Sequence, residues 1–571
     1  MLHELLKFQA VTPPIKAAHI HHNLTHKTKS FSMAKPILFS LSFFLLSVFY
    51  TSLAAPPASE SFYTDFLNCL KQNNTDPSIS DIVFPQSNPS FSTVLQNYIR
   101  NTRFNTSSTS KPLIIVTPKQ PSHVQSTVIC AKKTNIQVKI RSGGHDYEGI
   151  SYISNQPLFI ILDMFNLKTI NVDVKKEVAY VQAGATLGEL YYGIYQKSKV
   201  HGFPAGVGPT VGVGGHISGG GYGTMLRKYG LSVDNIIDAE IVDVKGRLLN
   251  RKSMGEDLFW AIGGGGGASF GVVLSYTVKL VSVPETVTVF RIEKTLDQNA
   301  TDLVVQWQQV APTIDNRLFM RLLLQPITSK TVKGTKTIRA SVVALFLGGA
   351  EELVEILGKE FPLLGLKKED CLEMSWINSV IWYNSAEEFK SGAKPESLLD
   401  RNLNSASFGK RKSDYVQKAI PKDALELIWK KMIELGKVGF VFNPYGGKMA
   451  EIPADAMPFP HRAGNLFKVQ FSVNWKDPEP SATSEYLNQA KSLYSFMEPY
   501  VSKNPRSAFL NYRDLDIGIN SFGKNSYEEG KVYGAKFFNN NFDRLVKIKT
   551  AVDPDNFFRN EQSIPVLAGK A

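Results

Sequence analysis

Cysteine is scarce: Cys69, Cys130 and Cys371 are the only three in 571 residues. That excludes a small disulfide-stapled scaffold and leaves the fold to a hydrophobic core. Charge blocks are missing too. Charged residues make up 20% of the chain and no Lys/Arg run carries interleaved aromatics, so a nucleic-acid partner is not expected. No repeat and no low-complexity linker is present, which excludes a solenoid or a tethered array. The apolar run Ile37–Tyr50 is too short to span a bilayer. No metal site is expected.

That short run belongs to a leader. Met33-Ala34-Lys35-Pro36 precedes it, and Ser52-Leu53-Ala54 supplies small residues at cleavage spacing. This is the pattern of a secretory signal peptide cut after Ala54. Residues 1–32 carry no core pattern and read as an upstream extension. Residues 1–54 hold five lysines against one glutamate, +4 of the formal +13, which leaves +9 on the remaining 517 residues. A secreted chain of that charge is soluble and drawn to acidic wall polymers. The expected location is the cell wall or apoplast, or the vacuole, with no membrane association after cleavage. Secretion makes a disulfide plausible. Three pairings are open, of which Cys69–Cys130 is the expected one. Asn73, Asn105 and Asn299 head glycosylation sequons.

Short β-branched runs alternate with helical periodicity from residue 111 to 282. Leu113–Val116, Gln137–Ile140, Leu158–Leu162, Ala179–Gln182 and Ile236–Val244 read as strands, and Thr186–Lys197 as a helix. Beyond residue 285 the order changes. Strands at Leu318–Pro326, Ile338–Leu347, Gly439–Asn443 and Phe467–Trp475 alternate with helices at Ala350–Phe361, Lys422–Leu435 and Ser484–Tyr494. An antiparallel sheet covered by helices on one face fits that order. Tyr533–Val546 reads as one helix near the end. The fold class is α+β, with domains at 55–284 (core 107–282) and 285–505 and a C-terminal segment at 506–571.

Two glycine-framed histidines carry the chemistry. One lies in Arg141-Ser142-Gly143-Gly144-His145-Asp146-Tyr147-Glu148-Gly149, the other in Gly212-Val213-Gly214-Gly215-His216-Ile217-Ser218-Gly219-Gly220-Gly221-Tyr222-Gly223. Glycine admits positive φ and lets backbone N–H groups approach a ligand. Successive N–H groups make a concavity suited to a pyrophosphate. An imidazole there is aimed at a large cofactor.

These motifs, with Asp257-Leu258-Phe259-Trp260-Ala261-Ile262, Pro458-Phe459-Pro460-His461-Arg462, Asn511-Tyr512-Arg513-Asp514-Leu515-Asp516 and Asn556-Phe557-Phe558-Arg559-Asn560, resemble the plant berberine-bridge-enzyme-like flavoproteins of the vanillyl-alcohol-oxidase/p-cresol-methylhydroxylase superfamily. The resemblance runs from about residue 60 to the end. It implies an FAD bonded to His145 and cradled by Arg141, Ser142, Gly143, Gly144, Gly214, Gly215, Gly220, Tyr222 and Asn556. His216 is implied as a donor to the reduced flavin. Many members add a second bond through a cysteine, but here Gly206-Val207-Gly208-Pro209-Thr210-Val211-Gly212 puts Gly208 at that position. A mono-covalent flavin through His145 is therefore expected. Gly263 also departs from the family, where an arginine is common. Val211 sits at the position that resembles an oxygen gate and implies an oxidase using dioxygen.

The resemblance further implies Tyr147, Tyr222, Lys468, Gln470 and Tyr512 as the substrate-side set. A tyrosine, its ionisation favoured by the Lys468 ammonium, takes the hydroxyl proton of a small-molecule alcohol or phenolic. Hydride passes to the flavin. Members that build alkaloid bridges carry a carboxylate where Gln470 stands, so monolignol-type alcohols or sugar hemiacetals are the expected substrates. Oxidative cyclisation in specialised metabolism, or a non-redox flavin pocket catalysing a cycloaddition, are the alternatives. A monomer is expected.

Overall fold

The computed structural model describes residues 58–402 and 406–567. The expected signal peptide and its expected cleavage point lie outside the described residues. The first sheet contains Val83–Pro85 (β1), Ile114–Val116 (β2), Gln137–Arg141 (β3) and Phe159–Asp163 (β4), in the order β1-β2-β4-β3 with β4 parallel to β2 and β3. Every residue of β2 and β4 is buried, as parallel strands covered on both faces require. The helix Pro121–Lys133 crosses from β2 to β3, and the Cys69–Cys130 disulfide ties it to the helix Ala58–Asn73. Cys371 is free.

A second sheet follows, built from Ile170–Asp173 (β5), Val178–Gln182 (β6), Ile236–Val242 (β8), Leu248–Leu249 (β9) and Val272–Lys279 (β10), in the order β5-β6-β10-β8-β9. His201–Gly202 (β7) pairs with Val281–Ser282 (β11) beside it. The helix Leu187–Lys197 starts with a capping box in which Thr186 and Glu189 satisfy each other's backbone N–H groups. β10, central in this sheet, has no counterpart among the strands read from the sequence.

The third sheet has seven antiparallel strands: Val287–Thr295 (β12), Leu318–Thr328 (β13), Lys336–Phe346 (β14), Cys371–Met374 (β15), Phe408–Val416 (β16), Gly439–Pro444 (β17) and Phe467–Trp475 (β18), ordered β15-β12-β14-β13-β17-β18-β16. The helices Ala300–Val310, Ala350–Glu360, Lys422–Leu435 and Pro480–Phe496 join Leu318, Met320, Leu322 and Leu324 in one core. Phe319 and Leu323, on the opposite face of β13, join the core of the second sheet. The molecule is thus α+β, with one face of the seven-stranded sheet turned to the glycine-rich half.

The expected single helix over Tyr533–Val546 is two, Ser526–Phe538 and Phe542–Val552. Three successive asparagines separate them, and Asn539 takes φ 45°, which stops the first helix. After the second helix the chain returns to the first sheet. Phe557 and Phe558 pack with Val116, Val138 and Leu162, and Glu561 makes a buried ion pair with Lys139 at 2.7 Å. Asn73, Asn105 and Asn299 are all exposed. Among the described residues no helix is long and apolar enough to cross a membrane.

Candidate active site

The two glycine loops meet backbone to backbone. A Cβ on Gly143 would stand 2.2 Å from the Gly212 nitrogen, and one on Gly212 would stand 2.1 Å from Ser142 Oγ. Gly144 has φ +64°, and a Cβ there would strike the Tyr98 carbonyl oxygen at 2.0 Å. Side chains at these positions would push the loops apart. Gly215 differs: a Cβ there meets nothing within 4 Å, so its backbone faces open space. The Asn511 side chain holds the second loop from the C-terminal segment. It donates to the Gly215 carbonyl and accepts from the Gly221 N–H, both at 3.0 Å.

Both histidines face the cavity these loops enclose, whose volume is about 500 Å³. Burial, with the nearby Arg100 cation adding, pushes the His145 imidazole down to about 3. Its Nε2 is 2.9 Å from Thr210 Oγ1. Burial and then Lys468 push His216 down to about 3 as well, and its Nε2 accepts from the Gly206 N–H at 3.2 Å. His216 therefore carries its proton on Nδ1. These features fit an FAD: glycine backbone N–H groups without covering side chains, a neutral imidazole able to bond carbon, and a second imidazole with a donor to spare.

The third sheet supplies the opposite wall. Gln470 Nε2 donates to the Tyr147 hydroxyl at 3.2 Å, and the hydroxyls of Tyr222 and Tyr512 share a hydrogen bond. Lys468, two residues before Gln470 on β18, is fully buried and its Nζ has no hydrogen-bond partner. It lies 3.3 Å from the Tyr222 ring centroid, 3.6 Å from that of Phe509 and 4.7 Å from that of Tyr512. Burial works against the expected ammonium–phenolate pair. Burial, then Arg321, holds Lys468 well below its usual value, and burial, then Tyr222 and Tyr147, lifts Tyr512 well above 10. Isolated charge in so dry a site is disfavoured for both groups.

A buried cluster of charges pins the loops that carry Tyr147 and Tyr512. Lys410 Nζ lies 2.5 Å from Glu148 and 2.7 Å from Asp514, and Lys412 Nζ lies 2.5 Å from Asp514 and 2.8 Å from Asp516. Glu148 follows Tyr147 directly, and Asp514 stands two residues after Tyr512. The cluster therefore joins the first glycine loop, β16 and the C-terminal segment at one point.

Ser142, Gly143, Gly144, His145, Tyr147, Gly208, Val211, Gly214, Gly215, His216, Tyr222, Gln470 and Tyr512 line the one cavity. Arg141, Gly220, Asn556 and Lys468 do not. Arg141 is spent on Asp163 at 2.7 Å and on the Val94 and Leu95 carbonyls. Gly220 serves a turn at φ +110°, and Asn556, at φ 51°, closes the turn after the last helix, its N–H donating to the Asp553 carbonyl at 3.0 Å. Arg291, Arg321 and Arg339 also line the cavity, from β12, β13 and β14. The sequence reading passes over them. Their signal was alternation: Arg321, Leu323 and Gln325 share one face of β13.

Two family matches fall within the chain: an FAD binding domain over residues 112–251 and a berberine and berberine-like domain over residues 508–565. Berberine bridge enzyme-like 21 of Arabidopsis thaliana is 62% identical over 536 residues, 94% of this chain and 98% of the relative. Berberine bridge enzyme-like 2 of the same plant is 59% identical over 536 residues, covering 93% of this chain and 99% of the relative. Among solved structures, the grass pollen allergen Phl p 4, described as having glucose dehydrogenase activity, superposes with a TM-score of 0.83 at 43% identity, covering 88% of this chain and all of the allergen. An isoleucine-to-valine variant of that allergen is described as a glucose oxidase. The berberine bridge enzyme of Eschscholzia californica superposes with a TM-score of 0.82 at 37% identity, covering 88% of this chain and all of that enzyme. The chain belongs to the berberine bridge enzyme-like family of FAD-linked oxidoreductases.

Proposed function

We propose that the protein is a secreted sugar oxidase that converts the hemiacetal end of a carboxylate-bearing saccharide to a lactone, with dioxygen reduced to hydrogen peroxide. The observation that supports this reading is the tyrosine pair placed at a cation-lined cavity. Nine cationic side chains and a single carboxylate, Asp146, line it among the described residues. Arg321 is held through Nε by the Asn443 amide oxygen at 2.8 Å rather than by a carboxylate. An apolar monolignol leaves the Arg321 guanidinium without a carboxylate, whereas a uronate supplies bidentate acceptors; Arg291 and Arg339 already share Glu293. The pollen relative, described as acting on glucose, supports a sugar as the substrate, not its carboxylate.

FAD bound in the glycine cradle, anchored by His145, supplies a two-electron hydride acceptor. The protein handles the proton. Tyr512 takes the substrate's hydroxyl proton, and the nearby Lys468 offsets the charge of its phenolate through space. Tyr222 spreads the developing charge through its hydroxyl contact with Tyr512, and Lys468 over the Tyr222 ring balances it. Gln470 and Tyr147 orient the substrate hydroxyl. His216 Nδ1–H faces the charge that hydride transfer creates. Val211 keeps the oxygen approach open, in keeping with the valine that accompanies the oxidase description in the pollen relative. The exposed sequons and the disulfide support passage through the secretory route to wall or vacuole.

Anaerobic titration of the purified protein tests this reading, following the flavin band at about 450 nm. A uronic acid trisaccharide should bleach it more readily than cellobiose, and coniferyl alcohol should not. Replacing Arg321 by Met should raise KM for the uronate alone. Bleaching by coniferyl alcohol only would return the monolignol reading. No bleaching by any of the three, with dithionite still reducing the flavin, would leave cyclisation or a non-redox pocket.

A further inference from the structure

We infer that Arg411 is a carboxylate subsite for a second acidic unit of the saccharide, so that the cavity reads an oligomer rather than a single uronate. The inference rests on the reading that the substrate is a carboxylate-bearing sugar.

The strand β16 carries four charged residues, Lys410, Arg411, Lys412 and Asp414. Alternation turns Lys410, Lys412 and Asp414 to one face, where each meets an ion of opposite sign. Arg411 points the other way and lines the cavity. Its partners are neutral. Nη1 donates to the Lys410 and Val473 carbonyls at 2.9 and 2.8 Å, and Nη2 to Asn474 Oδ1 at 2.7 Å. Those bonds use three of the five N–H groups of a guanidinium. Nε–H and one Nη2–H remain, adjacent donors that fit the two oxygens of a carboxylate. The neutral bonds hold the guanidinium in place without cancelling its charge. Arg411 is 8% exposed, and burial works against that charge, with Tyr147 and Tyr512 favouring it. A buried cation without an anion is unfavourable, and a ligand carboxylate offsets this.

The sheet register gives the spacing. Ser472 pairs with Arg411 across β18 and β16, and Gly439 pairs with Ser472 from β17. All three line the cavity, and Gly439 has no side chain to cover the row. Lys468, beside the tyrosine pair, is four residues earlier on β18, about 13 Å along the strand. That is farther than one hexose ring reaches. Arg321 belongs to the row of Lys468: it bonds Asn443, which pairs with Lys468. The unit being oxidised thus meets Arg321, and the next unit meets Arg411. Between the two rows Gln470 holds Tyr147, whose ring centre lies 5.6 Å from the Arg411 guanidinium carbon.

The test uses the flavin-loaded protein with three probes: galacturonic acid, digalacturonic acid, and digalacturonic acid methyl-esterified on its non-reducing unit. The wild type should prefer the free diacid to its ester by about 10- to 100-fold in kcat/KM, the range of a hydrogen bond to a charged group. Arg411→Gln should abolish most of that preference. Equal kcat/KM for diacid and ester in the wild type overturns the inference, and that result needs no variant to fold. So does an Arg411→Gln protein that loses rate on diacid and ester by the same factor, the pattern of a residue acting only through Tyr147. If neither galacturonic acid nor digalacturonic acid reduces the flavin, the uronate reading itself fails and the inference falls with it.

Discussion

Replacing Lys410 with Met should leave the protein able to bind FAD yet markedly less stable and less active. Lys410 is 2% exposed and touches Glu148, Asp514 and, at 3.2 Å, Asp516. Methionine fills a similar volume and removes the charge. Asp514 and Asp516 then keep only Lys412, and Glu148 is left with Arg103 at 3.9 Å. Breaking a buried charge network by deleting one partner costs about 3–5 kcal/mol. At roughly 2 °C per kcal/mol for a large chain, that is about 6–10 °C in Tm. The pH dependence gives a sharper signature. Burial lifts Glu148 above its usual value even with Lys410 present. Without Lys410 it rises further, so its folded value exceeds the unfolded one and ionisation at neutral pH destabilises the fold. The deficit should be largest near pH 8 and shrink toward pH 5 as Glu148 takes up a proton. Asp516 acts oppositely. Burial alone would raise it, but Lys410 and Lys412 hold it at about 2. Its stabilisation is present above the unfolded value of about 4 and lost as pH falls through the folded value, so its share of the deficit is constant above about pH 5 and shrinks only in acid. Differential scanning fluorimetry from pH 4 to 8, with kcat and KM in parallel, measures both. A Tm change under 2 °C, or a deficit that does not vary with pH, would refute the reasoning.

Other changes probe the cofactor and the base. A Cβ on Gly208 meets only Val211 Cγ2, at 3.2 Å, so Gly208→Cys should fold and form a second flavin bond; peptide mass spectrometry showing His145 alone modified would count against the placement. Val211→Leu should slow flavin reoxidation by oxygen while leaving anaerobic reduction unchanged, and an unaltered rate in stopped flow removes the gate. Tyr512→Phe should lower the rate of flavin reduction by about 10²–10⁴, the span of a general base, with little change in substrate affinity.

Alternation and length made much of the third sheet readable, down to Lys422–Leu435, whose helix has the expected ends. The strand β16 shows why the rest was not. Phe408-Gly409-Lys410-Arg411-Lys412-Ser413-Asp414-Tyr415-Val416 looks like an exposed charged loop, yet Lys410, Arg411, Lys412 and Asp414 are at most 8% exposed. Their partners stand in other segments: Asp514 for both lysines, Asn474 for Arg411, Arg506 for Asp414. No local pattern announces a strand whose polar groups are satisfied from elsewhere. The glycine motifs located the cradle because glycine marks backbone contact directly. The charge state of Lys468 was hidden for the opposite reason: burial sets it, and burial belongs to the assembled site.

The return of the chain end to the first sheet constrains how the protein is made. Lys139 and Glu561 are 422 residues apart, and Phe557 and Phe558 complete a core begun by Val116. At about 5–20 residues per second, a ribosome takes on the order of 20–80 s to travel from the first partner to the last. The glycine-rich half cannot close as an independent unit during that interval. Cofactor capture is therefore expected only after the chain end has docked, so a chain cut before residue 557 should bind flavin poorly.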